Sequence, residues 1–330
     1  MREQWSVPKG DKIICNLCRH HCTLAEGQVG MCGVEANHEG HLTSLVYGYP
    51  ASINIDPIEK KPLNHLLPGS TSLSLGTVGC NFRCPFCQNW QISQNHRVDT
   101  HRYVSPEEIV TLAIAHGCAS ISYTYNEPTV FYPYAYDIGQ IAKKKGLKNI
   151  FVTNGFQTPE LIHEMASWVD AANIDLKSFN DTYYKKTLKG GLEAIKENIA
   201  LYHQLGIWIE VTTLIIPGIN DTKDELQAMA SFLAGIDLNI PWHLSAFHPD
   251  YQMLSTPPTS LASLKQAEAL GKAVGLRYIY IGNVWHEHAR THCPNCGAIV
   301  IEREGYRIIT NRLDHGQCYA CGEVIAGVWY

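Results

Sequence analysis

Eleven of the twelve cysteines fall into three tight groups, and their spacing is the strongest chemical signal in the chain. Cys80, Cys84 and Cys87 form a Cys-x3-Cys-x2-Cys triplet inside SLSLGTVGCNFRCPFCQNW. Thiolates bind iron–sulfur clusters, and a cubane with four protein thiolates is saturated and suited to electron transfer. Three thiolates leave one iron with an open position, to which a small chelating molecule can bind. The competing reading of the triplet is a zinc site completed by a histidine such as His96. A triplet on a loop that follows an apolar strand and leads into a helix favours the cluster.

The triplet and the segments downstream of it resemble the radical-SAM superfamily, particularly its pyruvate formate-lyase activating-enzyme branch. The resemblance implies a [4Fe–4S] cluster on Cys80, Cys84 and Cys87, whose open iron binds the amino and carboxylate groups of S-adenosylmethionine. Reductive cleavage then gives methionine and a 5′-deoxyadenosyl radical, which takes hydrogen from a substrate. The family's aromatic residue before the third cysteine, which packs on adenine, matches Phe86, and its asparagine two places after matches Asn89. A Gly-Gly-Glu segment that binds the cofactor's amino group is represented in Tyr125-Asn126-Glu127 by the glutamate alone. Thr153 and Asn154 match a Thr-Asn-Gly turn, and Asp175 and Lys177 match an Asp-x-Lys element directed at the ribose hydroxyls and the carboxylate. His243 matches a histidine that contacts the nucleoside, and His248 could face substrate. The alternatives are bland: Glu127 as a helix cap before Pro128, Asp175 and Lys177 as a structural ion pair, and His243 as a satisfied polar residue. More narrowly, DPIEKKPLNHLLPG together with cysteine modules at both ends resembles the radical-SAM component of the AmmeMemoRadiSam system over essentially the whole chain. That likeness implies Memo-like and Amme-like protein partners and an electron donor such as flavodoxin or ferredoxin.

The outer cysteines differ in how much they disclose. Cys293-x2-Cys296-Gly and Cys318-x2-Cys321-Gly are paired knuckles of a zinc ribbon, with His286, His288 and His292 as unassigned extra ligands. Zinc would supply folding energy that so small a module lacks. Cys15, Cys18, Cys22 and Cys32 fit a closed zinc site or an auxiliary iron–sulfur cluster, with structural zinc preferred. Cys118 stands alone and reads as a small buried hydrophobe.

These groups need a scaffold to hold them. The chain has 330 residues, 45% hydrophobic and 17% charged, enough for one large catalytic domain with small modules. From residue 71 onward, apolar runs alternate with helical patterns. Expected strands are 72–77, 119–124, 148–153, 171–176, 207–213, 242–247 and 276–281. Helix starts are marked at Ser105-Pro106, Thr158-Pro159 and Thr222, with capping-box glutamates at Glu108 and Glu225. Such alternation predicts a parallel sheet with helical crossovers: an α/β partial (β/α)6-type TIM-like barrel whose site lies at the carboxyl ends of the strands. The expected division is a Cys-rich module over 1–70, the barrel over 71–285 and a zinc ribbon over 286–330.

Net charge −5 and scattered lysines argue against nucleic acid as a partner. The absence of a signal-like opening and of a long apolar run argues against secretion and membrane insertion. Clustered thiols suit a reducing cytoplasm. The expectation is therefore a cytoplasmic radical-SAM oxidoreductase acting on a protein or bulky substrate. Its rivals are a glycyl-radical-enzyme activase proper and a non-catalytic zinc adaptor.

Overall fold

A computed structural model describes residues 5–284 and 289–330. His286, His288 and the expected boundary at 285/286 lie outside the described residues. The chain opens with two small antiparallel units. β1 (Ser6–Lys9) pairs with β2 (Lys12–Cys15), which also pairs with β3 (Thr23–Leu24). β4 (Glu35–His38) pairs with β5 (His41–Ser44) through a two-residue turn in which Glu39 and Gly40 both take positive φ. That is the hairpin turn whose twist matches the flanking strands.

The central sheet has eight strands in sequential order: β6 (Ser52–Pro57), β7 (Thr71–Gly76), β8 (Ser120–Tyr123), β9 (Lys148–Thr153), β10 (Ala171–Asp175), β11 (Trp208–Ile215), β12 (Trp242–Ala246) and β13 (Ile279–Gly282). The seven from β7 to β13 are parallel. β7, β8 and β10 are almost wholly buried, as expected of parallel strands covered on both faces. β6 runs antiparallel to β7 and was not expected; it lies inside the stretch read as an N-terminal module.

Between the parallel strands run α1 (Trp90–Ser93), α2 (Pro106–Ala115), α3 (Tyr132–Lys144), α4 (Pro159–Met165), α5 (Asp181–Tyr183), α6 (Leu192–Gln204), α7 (Lys223–Ile236) and α8 (Leu261–Ala273). Ser105 and Glu108 form the full capping box at α2, and Thr158 caps α4. At α7 the cap is half of what the motif promised. Thr222 accepts from the Glu225 amide, but the Glu225 carboxylate bonds Ser178 Oγ and Phe179 N instead, tying α7 to the loop after β10.

The C-terminal module consists of β14 (Ala289–His292), β15 (Ile299–Glu304) and β16 (Arg307–Asn311), antiparallel, followed by the β17 (Leu313–Asp314) and β18 (Gln317–Cys318) hairpin. It docks through buried polar groups. Arg303 donates to Asn64 O and Thr291 Oγ1, and the Val328 amide bonds His65 O. His65 is fully buried between Ala326 O and the Tyr280 hydroxyl.

Candidate active site

Strand β7 ends at Gly76, and the loop that follows carries the cysteine triplet. Gly79 is required there twice over. Its φ is +89°, and a Cβ would lie 2.7 Å from Cys32 O, where the N-terminal module packs. Cys80 and Cys84 are buried and Cys87 half-buried, with Ser93 Oγ 3.1 Å from Cys87 Sγ. Burial pushes the Cys80 thiol well above its ordinary range, and the Glu127 charge adds to the effect. Burial pushes Cys84 up to about 12, against the pull of the Lys177 ammonium. Three thiols gathered on one loop, two of them buried, are a donor set that fits a metal cluster.

The three cysteines share a cleft of about 260 Å³ with Phe86, Asn89, Glu127, Thr153, Asn154, Asp175 and Lys177. Thr212 and Leu214 of β11 and Ser245 of β12 also line it, so it spans the carboxyl ends of the parallel strands. His243 is not among the lining residues. Its Nε2 is 2.6 Å from Glu210 Oε2, and its ring stacks on Tyr280 beside a neighbouring cavity. His96 packs against Gly33 of the N-terminal module and does not line the cleft.

Within the cleft each polar group is held by its backbone. Glu127 caps the 3-10 turn Pro128–Phe131 by accepting from Thr129 N, the structural role weighed for it. Its Oε1 also takes the hydroxyls of Thr129 and Thr153, while Oε2 takes one bond, from Asn154 N at 2.7 Å. The second oxygen therefore keeps acceptor capacity, and the residue lines the cleft. Burial holds the Glu127 pKa above the usual carboxylate range. Asp175 Oδ2 pairs with Lys177 Nζ at 2.8 Å, and Lys177 Nζ stands 5.9 Å from the centre of the Phe86 ring. Burial works to lower the Lys177 pKa, but the Asp175 carboxylate and the Cys84 thiolate outweigh it, so the side chain stays charged. Asn220 supports this residue by donating to Lys177 O.

Two features escaped the sequence reading. Tyr125 adopts φ +71°, the left-handed conformation that glycine takes without penalty, at a place where the resembled family has glycine. Its carbonyl accepts from Asn89 Nδ2 at 2.9 Å. Its hydroxyl donates to Asp56 Oδ2 at 2.7 Å, and Asp56 in turn takes Lys61 Nζ at 2.6 Å. The unexpected strand β6 thus anchors the site through Asp56. The other feature is Asn81, fully buried beside Cys80, whose Oδ1 takes the Asn154 side-chain amide at 2.7 Å. The glycine of the resembled family's motif was the signal available for Tyr125; no periodicity or motif marks Asn81.

The four C-terminal thiols lie within 4.8 Å of one another, with contacts of 3.6 Å (Cys293–Cys321) and 3.8 Å (Cys296–Cys318). Four sulfurs about 2.3 Å from one tetrahedral ion stand about 3.8 Å apart, so this geometry fits a single bound ion. All twelve cysteines are free thiols, and no helix among the described residues is long and apolar enough to cross a membrane.

A family model described as the Radical SAM superfamily matches residues 74–233. The chain is 44% identical over 332 residues to the uncharacterized protein MJ0808 of Methanocaldococcus jannaschii, covering 98% of this chain and 99% of that one. It is 18% identical over 161 residues to the pyruvate formate-lyase-activating enzyme of Clostridium pasteurianum, covering 48% of this chain and 67% of that enzyme. Among solved structures, a radical SAM methyltransferase from Sphaerobacter thermophilus superposes with a TM-score of 0.51 at 18% identity. That superposition covers 65% of this chain and 67% of the other, and is a likeness of fold.

Proposed function

The chain belongs to the Radical SAM superfamily, and from that premise we propose that it binds a [4Fe–4S] cluster on Cys80, Cys84 and Cys87 and S-adenosylmethionine in the adjoining cleft. Together, when bound, these supply reductive cleavage to a 5′-deoxyadenosyl radical that abstracts hydrogen from a protein or bulky substrate. The observation that carries the reading is one of convergence. Three cysteines and seven residues implied by the family resemblance, from segments as much as about 100 residues apart, line a single cleft. In this reading Phe86 offers its ring to the adenine and Glu127 Oε2 accepts from the cofactor's ammonium. Asn89, Thr153 and Asn154 hold the walls, Asp175 faces the ribose hydroxyls, and Lys177 balances the carboxylate.

The narrower reading places the protein in the cytoplasm as the radical-SAM component of an AmmeMemoRadiSam-type system. It would act with Memo-like and Amme-like partners, take electrons from a flavodoxin or ferredoxin, and carry structural zinc on Cys293, Cys296, Cys318 and Cys321. The likeness to pyruvate formate-lyase-activating enzyme favours a second reading, an activase that takes hydrogen from a glycine of a partner protein. The test common to all is anaerobic incubation with dithionite and S-adenosylmethionine. The wild type forms 5′-deoxyadenosine, and Cys84→Ala forms none while keeping the zinc content of the wild type. A colourless protein with zinc at the triplet would leave the adaptor reading standing and end this one. Mass analysis of candidate partner proteins after turnover then separates the two substrate readings.

A further inference from the structure

The four N-terminal cysteines converge against the loop that carries the cysteine triplet. Cys15 closes β2, and its amide bonds Cys22 O at 2.9 Å, while the Met31 amide points at Cys22 Sγ from 3.4 Å. Cys15 lies within electrostatic reach of Cys18 and Cys32, and Cys18 within reach of Cys22 and Cys32. The four cysteines therefore gather in one neighbourhood beside the triplet loop.

Their spacing separates them from the C-terminal set. Cys293, Cys296, Cys318 and Cys321 close to within 4.8 Å of each other, and among the described residues no three of the N-terminal thiols do so. A single tetrahedral ion needs sulfurs about 3.8 Å apart. A cubane places iron and sulfide between any two of its thiolates and so holds them farther apart. The Cys80, Cys84 and Cys87 thiols likewise form no group within 4.8 Å of one another.

The surroundings point the same way. Asn81 is fully buried, and its Nδ2 makes no well-formed hydrogen bond. That side chain faces Cys18, while its Oδ1 lies 3.8 Å from Cys80 Sγ. One amide thus spans the two cysteine groups with a donor turned toward the N-terminal sulfurs, an arrangement that tunes cluster potentials. His20 Nε2 is 2.9 Å from Asn81 O, and Arg83 donates to both Cys80 O and Met31 O, fastening the two loops together. The Glu35 carboxyl is likewise buried near Cys15 and Cys32, with the Ser44 hydroxyl near it but short of hydrogen-bond geometry.

We propose that Cys15, Cys18, Cys22 and Cys32 hold a second [4Fe–4S] cluster, coordinatively saturated, that passes single electrons to the cluster on Cys80, Cys84 and Cys87 by way of Asn81. The electron comes from a reduced one-electron protein donor of the flavin or iron–sulfur class. The N-terminal cluster goes from the 2+ to the 1+ state on accepting it and returns to 2+ on passing it on, with no bond made or broken. The electron-transfer part rests on the assignment of the Cys80 cluster; the metal assignment does not.

The test uses the full-length chain, reconstituted anaerobically with iron and sulfide. A Cys80→Ala/Cys84→Ala/Cys87→Ala variant is expected to keep about four irons and four sulfides per chain and about one zinc. Its reduced electron paramagnetic resonance signal should be indifferent to S-adenosylmethionine. A Cys15→Ala/Cys18→Ala variant should keep the complementary, responsive signal. Zinc content at the C-terminal site reports that each variant folds. The reduced wild type should show a spectrum broadened by coupling between neighbouring spins, and a simple sum of the two variants' spectra would overturn the electron path. A triple variant with no iron and about two zinc ions per chain would overturn the metal assignment. In that case iron present in the wild type leaves the proposed function intact. Equal iron in the wild type and the triple variant would sink the proposed function and leave the second cluster standing.

Discussion

Replacing Asp56 by asparagine should cost about 3–4 kcal/mol of stability and loosen the cleft, although Asp56 touches no expected ligand. Its carboxylate binds Lys60 at 2.8 Å, Lys61 at 2.6 Å and the Tyr125 hydroxyl at 2.7 Å. Burial alone would raise its pKa, but these three donors outweigh that and hold it well below the usual carboxylate range. The contacts are not equal. The Lys60 side chain is 47% exposed, and such a pair is worth about 0.5 kcal/mol. Lys61 is 3% exposed against 6% for Asp56, and burial already pulls its pKa down. Stranding a buried charge by removing its partner costs about 3–5 kcal/mol. Asparagine can still accept from Tyr125, so most of the loss comes from Lys61. Urea unfolding followed by tryptophan fluorescence measures it. The decisive companion is Asp56→Asn/Lys61→Met, because an apolar replacement for a buried pair is near neutral. The double variant should regain at least about 2 kcal/mol of the single variant's loss. Additive losses, or an Asp56→Asn cost below about 1 kcal/mol, would refute the argument that this pair is energetically buried.

Three further outcomes follow from the same structure. Lys177→Gln should raise the apparent KM for S-adenosylmethionine with iron content unchanged; an unchanged KM would reduce Lys177 to the partner of Asp175. His65 has a pKa lowered from 6.5 to about 4 by burial, so the unfolded chain takes up the proton first. Stability from this site is complete above about pH 6.5 and should fall by about 3 kcal/mol as pH drops to 4, read as the difference between wild type and His65→Gln in melts across that range. Gly139→Ala, in the interior of α3, should gain about 1 kcal/mol from helix propensity alone. Instead the new Cβ would lie 2.2 Å from the Trp168 ring, so the variant should lose about 1–3 kcal/mol in thermal unfolding.

What could be read in advance was local. The apolar runs of β7 to β13, the caps Ser105, Thr158 and Thr222 and the cysteine spacings depend on neighbours a few residues away. What escaped depends on distant pairing. β6 has the alternation Ser52-Ile53-Asn54-Ile55-Asp56, but its meaning lies in an antiparallel register against β7 that no local pattern discloses. Tyr125 resists for another reason. The residue types of Tyr-Thr-Tyr-Asn-Glu do not announce a positive φ; only the glycine at that place in the resembled motif does. The Tyr125 hydroxyl is tied to Asp56, about seventy positions earlier. The Glu225 carboxylate left its capping box because Ser178 and Phe179 offered it two donors that only the folded chain brings near.

The same accounting of donors separates the polar groups that build the sheet from those turned toward a ligand. Glu210 is buried and fully engaged. Oε1 takes His65 N and Trp208 Nε1, and Oε2 takes Asn64 N and His243 Nε2. Each oxygen has two donors, and nothing is left for a ligand. His243, committed to Glu210 and stacked on Tyr280, serves the same joint between β11, β12 and the docked C-terminal module. Glu127 and Asp175 stand at the carboxyl ends of the strands with capacity to spare. Oε2 of Glu127 has one donor, and Asp175 has one partner on Oδ2. The Asp175 side chain is one-third exposed, and both residues line the cleft. A cofactor ammonium or hydroxyl held in that cleft would meet these free lone pairs.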